Sequence, residues 1–189
     1  MSNIACSKDA AKGEKKPFAQ GYVHIYTGNG KGKTTAALGL ALRAAGAGLK
    51  VFIGQFIKAT KSSEHYALER FSDLITFKLY GRGCWIKGRP SFTDVDCAQE
   101  GMMEIWKIVC NGEYRLVILD EVDLAVMYRL FGVEELIGLI DSKPEHMELV
   151  FTGRSADRRL IERADLVTEM REIKHYFRKG VMARTGIES

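Results

Sequence analysis

The chain predicts an α/β fold in three layers, a mostly parallel sheet with helices on both faces. Three observations point there. Short apolar runs alternate with helix-length segments along the chain. A glycine-rich turn joins the first run to an alanine-rich helix. Two runs, residues 50–57 and 116–120, are apolar nearly throughout, as strands buried on both faces are.

In order, the first strand is expected at 21–26 and the first helix at 33–46, stopped by Gly46 and Gly48. A strand at 50–57, a helix at 64–71 and a strand at 75–80 follow. The glycine- and arginine-rich loop 81–90 contains Trp85. Thr93 can cap the next helix, which has Asp94 and Asp96 in its favourable first turn and ends at Asn111-Gly112. A strand at 116–120 leads to helices at 122–131 and 133–141. The last units are a strand at 148–152, a helix at 157–163 and a strand at 166–170. Residues 1–19 read as a flexible arm and 20–189 as a single domain.

Composition narrows the classes. A chain of 189 residues with 46% hydrophobic and 28% charged side chains suits one globular domain. No apolar run approaches the ~20 residues of a membrane helix, and the polar first 20 residues contain no secretory apolar region. The expected location is cytoplasmic, with no membrane partner. A net charge of +4 is too mild for a nucleic-acid surface, and the lysines at 8, 12, 15 and 16 read as a solvated arm. The four cysteines form no C-x-x-C pair and read as free thiols.

The chemistry concentrates in two places. Thr27-Gly-Asn-Gly-Lys-Gly-Lys-Thr-Thr35 lies between strand and helix, the layout of a phosphate-binding P-loop. Thr27 stands where the usual pattern has its first glycine, while Gly28 and Gly30 keep the turn permissive. Gly28, Asn29, Gly30, Lys31, Gly32, Lys33, Thr34 and Thr35 are the expected residues for binding a nucleoside triphosphate. Their backbone N–H groups and the helix N-terminus favour a polyphosphate, Lys33 adds a charge, and Thr34 can reach Mg²⁺. The second place is Asp120-Glu121, two carboxylates at the tip of an apolar strand, where such proteins meet Mg²⁺. Together these predict a P-loop NTPase-like, RecA-like version of the three-layer fold. Arg154, after the fifth strand, either reaches the triphosphate or lies at the surface. Trp85 either faces a planar ligand or packs on its own domain.

These residues, with Gln55-Phe-Ile-Lys58, Thr152-Gly-Arg154 and Lys174-His175 through Gly186-Ile187, resemble the P-loop ATP:corrinoid (cob(I)alamin) adenosyltransferases over about residues 21–188. The resemblance implies transfer of the 5′-deoxyadenosyl group of ATP to Co(I) of a reduced corrinoid, with triphosphate leaving. It implies Mg²⁺ held by Thr34 and Glu121 with Asp120 in support, and Lys33, Glu121 and Arg154 as the catalytic set. Trp85 is the match for the aromatic residue that contacts the corrinoid, although Gly83 stands where some members have a second aromatic. A homodimer is implied, and an electron-donor protein is compatible with the chemistry. A P-loop kinase or small ATPase, and a nucleotide-dependent binding module, are the alternatives.

Overall fold

A computed structural model describes residues 18–83, 86 and 88–188. The expected arm, apart from residues 18 and 19, and Trp85 lie outside the described residues. Six strands of the described residues form one sheet: β1 (Val23–Thr27), β2 (Val51–Phe56), β3 (Ile75–Tyr80), β4 (Leu116–Asp120), β5 (Glu148–Thr152) and β6 (Leu166–Glu169). Their order is β3-β2-β4-β5-β1-β6, and every pairing is parallel. β5 therefore separates β1, which feeds the glycine-rich turn, from β4, which carries the two carboxylates.

Among the described residues six α-helices connect the strands: α1 (Lys33–Gly46), α2 (Ser63–Leu68), α3 (Phe92–Asn111), α4 (Val122–Met127), α5 (Val133–Ser142) and α6 (Arg158–Arg163). Side chains on a strand alternate between faces, so the inner strands serve two cores, while β6 at the edge is exposed throughout. Val51 and Ile53 of β2, Ile118 of β4 and Val150 of β5 pack with Ala37, Ala41, Ala44 and Ala45 of α1. These alanines recur at helical spacing, and their small size lets the helix lie close to the sheet. Phe52, Phe56, Leu119 and Phe151 face the other way, against Met102 and Ile105 of α3 and Leu136 and Leu139 of α5.

The expected helix and strand limits hold to within a residue or two at most ends, with three corrections of detail. Ser91 caps α3, not Thr93. Ser91 Oγ accepts from the Asp94 amide at 3.3 Å, while Asp94 Oδ2 accepts from the Ser91 amide at 2.8 Å. Thr93, although Asp96 stands three residues on, already lies inside the first turn of α3 and so cannot be its cap; its hydroxyl instead accepts from Arg82 Nη1. The helix expected at 122–131 stops at Met127. Arg129 turns left-handed (φ 57°), and the Arg129 and Leu130 amides donate to the Val126 and Ala125 carbonyls, a paired stop usually built on glycine. The segment expected as helix to 71 is α2 followed by a 3-10 turn over Glu69–Phe71.

Candidate functional site

The carboxyl ends of parallel strands are where such sheets bind ligands. Here the turn 28–32 leaves β1 and wraps the start of α1. Gly28 and Gly32 hold positive φ (101° and 117°), a conformation that needs glycine. α1 begins without a side-chain cap and without an acid in its first turn. Its first amides therefore face outward as open donors, an arrangement suited to an anion. Thr35, in that turn, is exposed.

Lys33 is 8% exposed, and its ammonium donates to the Gly28 and Gly30 carbonyls, each at 2.8 Å. Burial pushes its pKa below the ordinary lysine value, while the neighbouring Glu121 charge acts in the opposite sense. Two of its three donors shape the turn, and one remains for a ligand. Lys31 points elsewhere: its ammonium donates to Glu188, Ile187 and Tyr176. Asn29 Oδ1 accepts from the Glu172 amide at 3.2 Å.

At the tip of β4, Asp120 is 2% exposed and fully engaged. Its Oδ2 accepts from Gln55 Nε2 at 2.6 Å and from Thr34 Oγ1 at 3.2 Å, and its Oδ1 from Thr152 Oγ1 at 2.7 Å. Thr152 Oγ1 in turn accepts from the Glu121 amide at 2.9 Å. Four elements, α1, β2, β4 and β5, thus meet on one carboxylate. Gln55 pairs with Asp120 in the strand register, so the contact is set by the sheet itself. The backbone beside this knot is strained. Glu121 and Ile57, at the ends of β4 and β2, hold positive φ of 57° and 70°, a conformation costing of order 1–3 kcal/mol and concentrated at functional sites.

Glu121 Oε2 is buried and has no hydrogen-bond partner. Burial raises its pKa, and the adjacent Asp120 charge adds to the effect. Hard oxygen donors from Thr34, Asp120 and Glu121, one of them unpartnered, are the right chemistry for Mg²⁺. Among the described residues no three acidic, histidine or cysteine side chains converge as a metal group. Mg²⁺ bound with a nucleotide does not need them, because phosphates and waters complete its shell.

Arg154 is exposed at the end of β5, and its carbonyl accepts from the Gly28 amide at 3.3 Å. Its guanidinium makes no hydrogen bond or ion pair within the described residues, yet its charge bears on Lys33 and Glu121. The structure therefore brings Lys33, Thr34, Asp120, Glu121 and Arg154 to one edge. It sends Lys31 to the C-terminal segment.

Sequence reasoning gave no site role to three residues. Gln55 and Thr152 entered only within motifs of the family resemblance; each is a polar side chain near the carboxyl end of a largely apolar strand, and that misfit was a further signal. Asp123, on the first turn of α4, is 2% exposed with neither oxygen partnered. Burial, followed by the Glu121 and Asp157 charges, pushes its pKa up to about 7. Nothing in its sequence context distinguishes it from an ordinary first-turn acid.

A family model described as ATP:corrinoid adenosyltransferase BtuR/CobO/CobP matches residues 19–189. The chain is 35% identical over 170 residues to a corrinoid adenosyltransferase of Escherichia coli K12, covering 89% of this chain and 86% of that one. It is 32% identical over 170 residues to one of Pseudomonas aeruginosa, with 89% and 84% coverage. A Sinorhizobium corrinoid adenosyltransferase is 36% identical over 176 residues, with 92% and 82% coverage. The matched span contains both the uncapped turn and the acidic strand tip, so the chain belongs to the ATP:corrinoid adenosyltransferase family.

Proposed function

We propose that this protein transfers the 5′-deoxyadenosyl group of ATP to Co(I) of a reduced corrinoid. The electron pair of cobalt forms the bond to C5′. The C5′–O bond breaks, and its electron pair leaves with the triphosphate. The observation that carries this reading is the family match across residues 19–189, which includes every element of the site.

The residues suit the task. Co(I) is itself the nucleophile, so no general base is required. The protein must align two substrates and stabilise a polyanionic leaving group. The open amides of the turn and of α1, with the third donor of Lys33, hold phosphate oxygens. Arg154, which has no side-chain partner among the described residues, adds charge at the rim. Thr34 and Glu121 would hold Mg²⁺, with Asp120 orienting Thr34 through their hydrogen bond. That ion would neutralise charge on the triphosphate. Trp85 is the proposed aromatic contact for the corrinoid.

The corrinoid must arrive reduced or receive an electron from a donor, for which a partner protein is proposed. No helix in the described residues is long and apolar enough to cross a membrane, and a cytoplasmic location is proposed. A homodimer is proposed as well. The exposed edge of β6, with Leu166 and Val167, and the exposed Ile173, Phe177 and Met182 offer an apolar surface for it. Light scattering on purified protein tests this; a monomer across the micromolar range would refute it.

The decisive experiment follows phosphorus. Protein, MgATP and chemically reduced corrinoid are incubated, and the products are resolved by phosphorus NMR. Inorganic triphosphate with a light-sensitive alkylcobalt product is expected. ADP and phosphate would instead identify a kinase or ATPase.

A further inference from the structure

The segment after β6 is built into the phosphate-binding turn. The Gly30 amide donates to the Met170 carbonyl at 2.7 Å, and the Met170 amide to the Thr27 carbonyl at 2.8 Å. The approach is so close that a Cβ on Gly30 would lie 2.7 Å from the Met170 oxygen, and one on Gly28 2.4 Å from it. Gly30 has no positive φ, so at this position close approach alone requires glycine.

Lys31 completes the attachment. An ammonium has three N–H donors, and three acceptors of the segment take them: Glu188 Oε1 at 2.8 Å, the Ile187 carbonyl at 3.0 Å and Tyr176 Oη at 3.2 Å. Glu188 also accepts from Tyr176 Oη and from the Arg184 guanidinium at 3.2 Å. That guanidinium lies over the Tyr176 ring, 5.0 Å from its centroid. The side chain of Lys31 is thereby saturated on the far side of the turn, while Lys33 keeps a free donor.

We infer that Glu188 is a positioning residue for nucleotide binding, acting through Lys31. Clamping Lys31 outward braces residues 28–32, whose Gly28 and Gly30 amides are already taken by the Arg154 and Met170 carbonyls, so that the amides of Asn29, Lys31 and Gly32 stay open for the phosphates. Lys31 is then a strut of the turn and not a phosphate ligand. The inference rests on the turn being the ATP site, but not on the corrinoid chemistry.

The test is a double-mutant cycle read by calorimetric binding of MgATP without corrinoid. Lys31→Ala and Glu188→Ala are each expected to weaken binding about three- to fivefold, the scale of one partly exposed ion pair. The double variant should be no weaker than Lys31→Ala alone. Tyr176→Phe should show a smaller loss in the same direction. Glu188→Ala should raise KM for ATP and leave kcat at saturating ATP unchanged, which a general folding defect would not do. Losses that multiply in the double variant would overturn the inference, because Lys31 would then reach the phosphates independently. Tighter binding in Glu188→Ala would overturn it too, since the segment would then be competing with the nucleotide. Failure of the wild-type protein to bind MgATP would defeat the nucleotide reading itself, a distinct outcome.

Discussion

The starts of α1 and α3 solve the same problem in opposite ways. Each helix has first-turn amides without intrahelical partners. At α3 the Ser91 hydroxyl takes the Asp94 amide from within the chain, and Asp94 adds a favourable charge. At α1 the cap is a left-handed Gly32, with no side-chain cap and no acid. A cap is worth about 1 kcal/mol, so α1 forgoes stability that a single Ser or Asp could supply. The helix is held instead by the buried alanines 37, 41, 44 and 45. The difference teaches that α3 is finished as a structural element, whereas α1 is left open for a polyanion.

The largest test of that contrast is Lys33→Ala. It removes the one buried cation of the turn, and MgATP affinity should fall on the order of 100-fold, the worth of a charge-assisted hydrogen bond lost at a phosphate. Calorimetry measures it, and affinity within threefold of wild type would remove the turn from the nucleotide site.

A third helix start, at α4, sharpens the comparison because its acid is buried without a partner. Asp123 has a folded pKa pushed up to about 7, above the unfolded value near 3.8. Between those values the folded state retains a proton that the unfolded state has lost. Stability without nucleotide or metal should therefore fall as pH rises from about 4 to 7. Asp123→Asn should flatten that slope and add about 2 kcal/mol at pH 7.5. Urea denaturation at several pH values reads both effects. An unchanged slope would mean that Asp123 finds a partner in solution.

Giving α1 an acid like that of α3 attacks the contrast directly. Thr35→Glu should stabilise the isolated helix start by about 0.5 kcal/mol, yet weaken MgATP binding about tenfold by repelling the phosphates. Raised salt should reduce the binding defect. The smallest effect belongs to α3: Ser91→Ala should cost about 1 kcal/mol of stability with MgATP affinity unchanged. A clear loss of affinity there would mean that the start of α3 also serves the site.

Much of this was legible in the residues. The limits of α1, β3, β4 and β5 match the expectation because hydrophobic period and turn chemistry are local properties. Lys33, Thr34 and Asp120-Glu121 were recognisable because their chemistry depends on a short spacing next to a strand or helix end. The end of α4 was not, because Arg129 adopts a conformation that sequence assigns to glycine. Nor was Asp123, whose chemistry depends wholly on the burial around it.

By itself, then, the sequence determined the alternation of strands and helices, the open start of α1 and the carboxylates at the tip of β4. Only the tertiary structure decided that β5 lies between β1 and β4, that Gln55 and Thr152 close on Asp120, and that Glu188 holds Lys31. The physical reason is distance along the chain. Period, capping and turn chemistry act over a few residues, but Gln55 and Asp120 are 65 residues apart, and Lys31 and Glu188 are 157. Such pairs meet only when the packing of two cores sets the strand order and brings the last segment behind the turn.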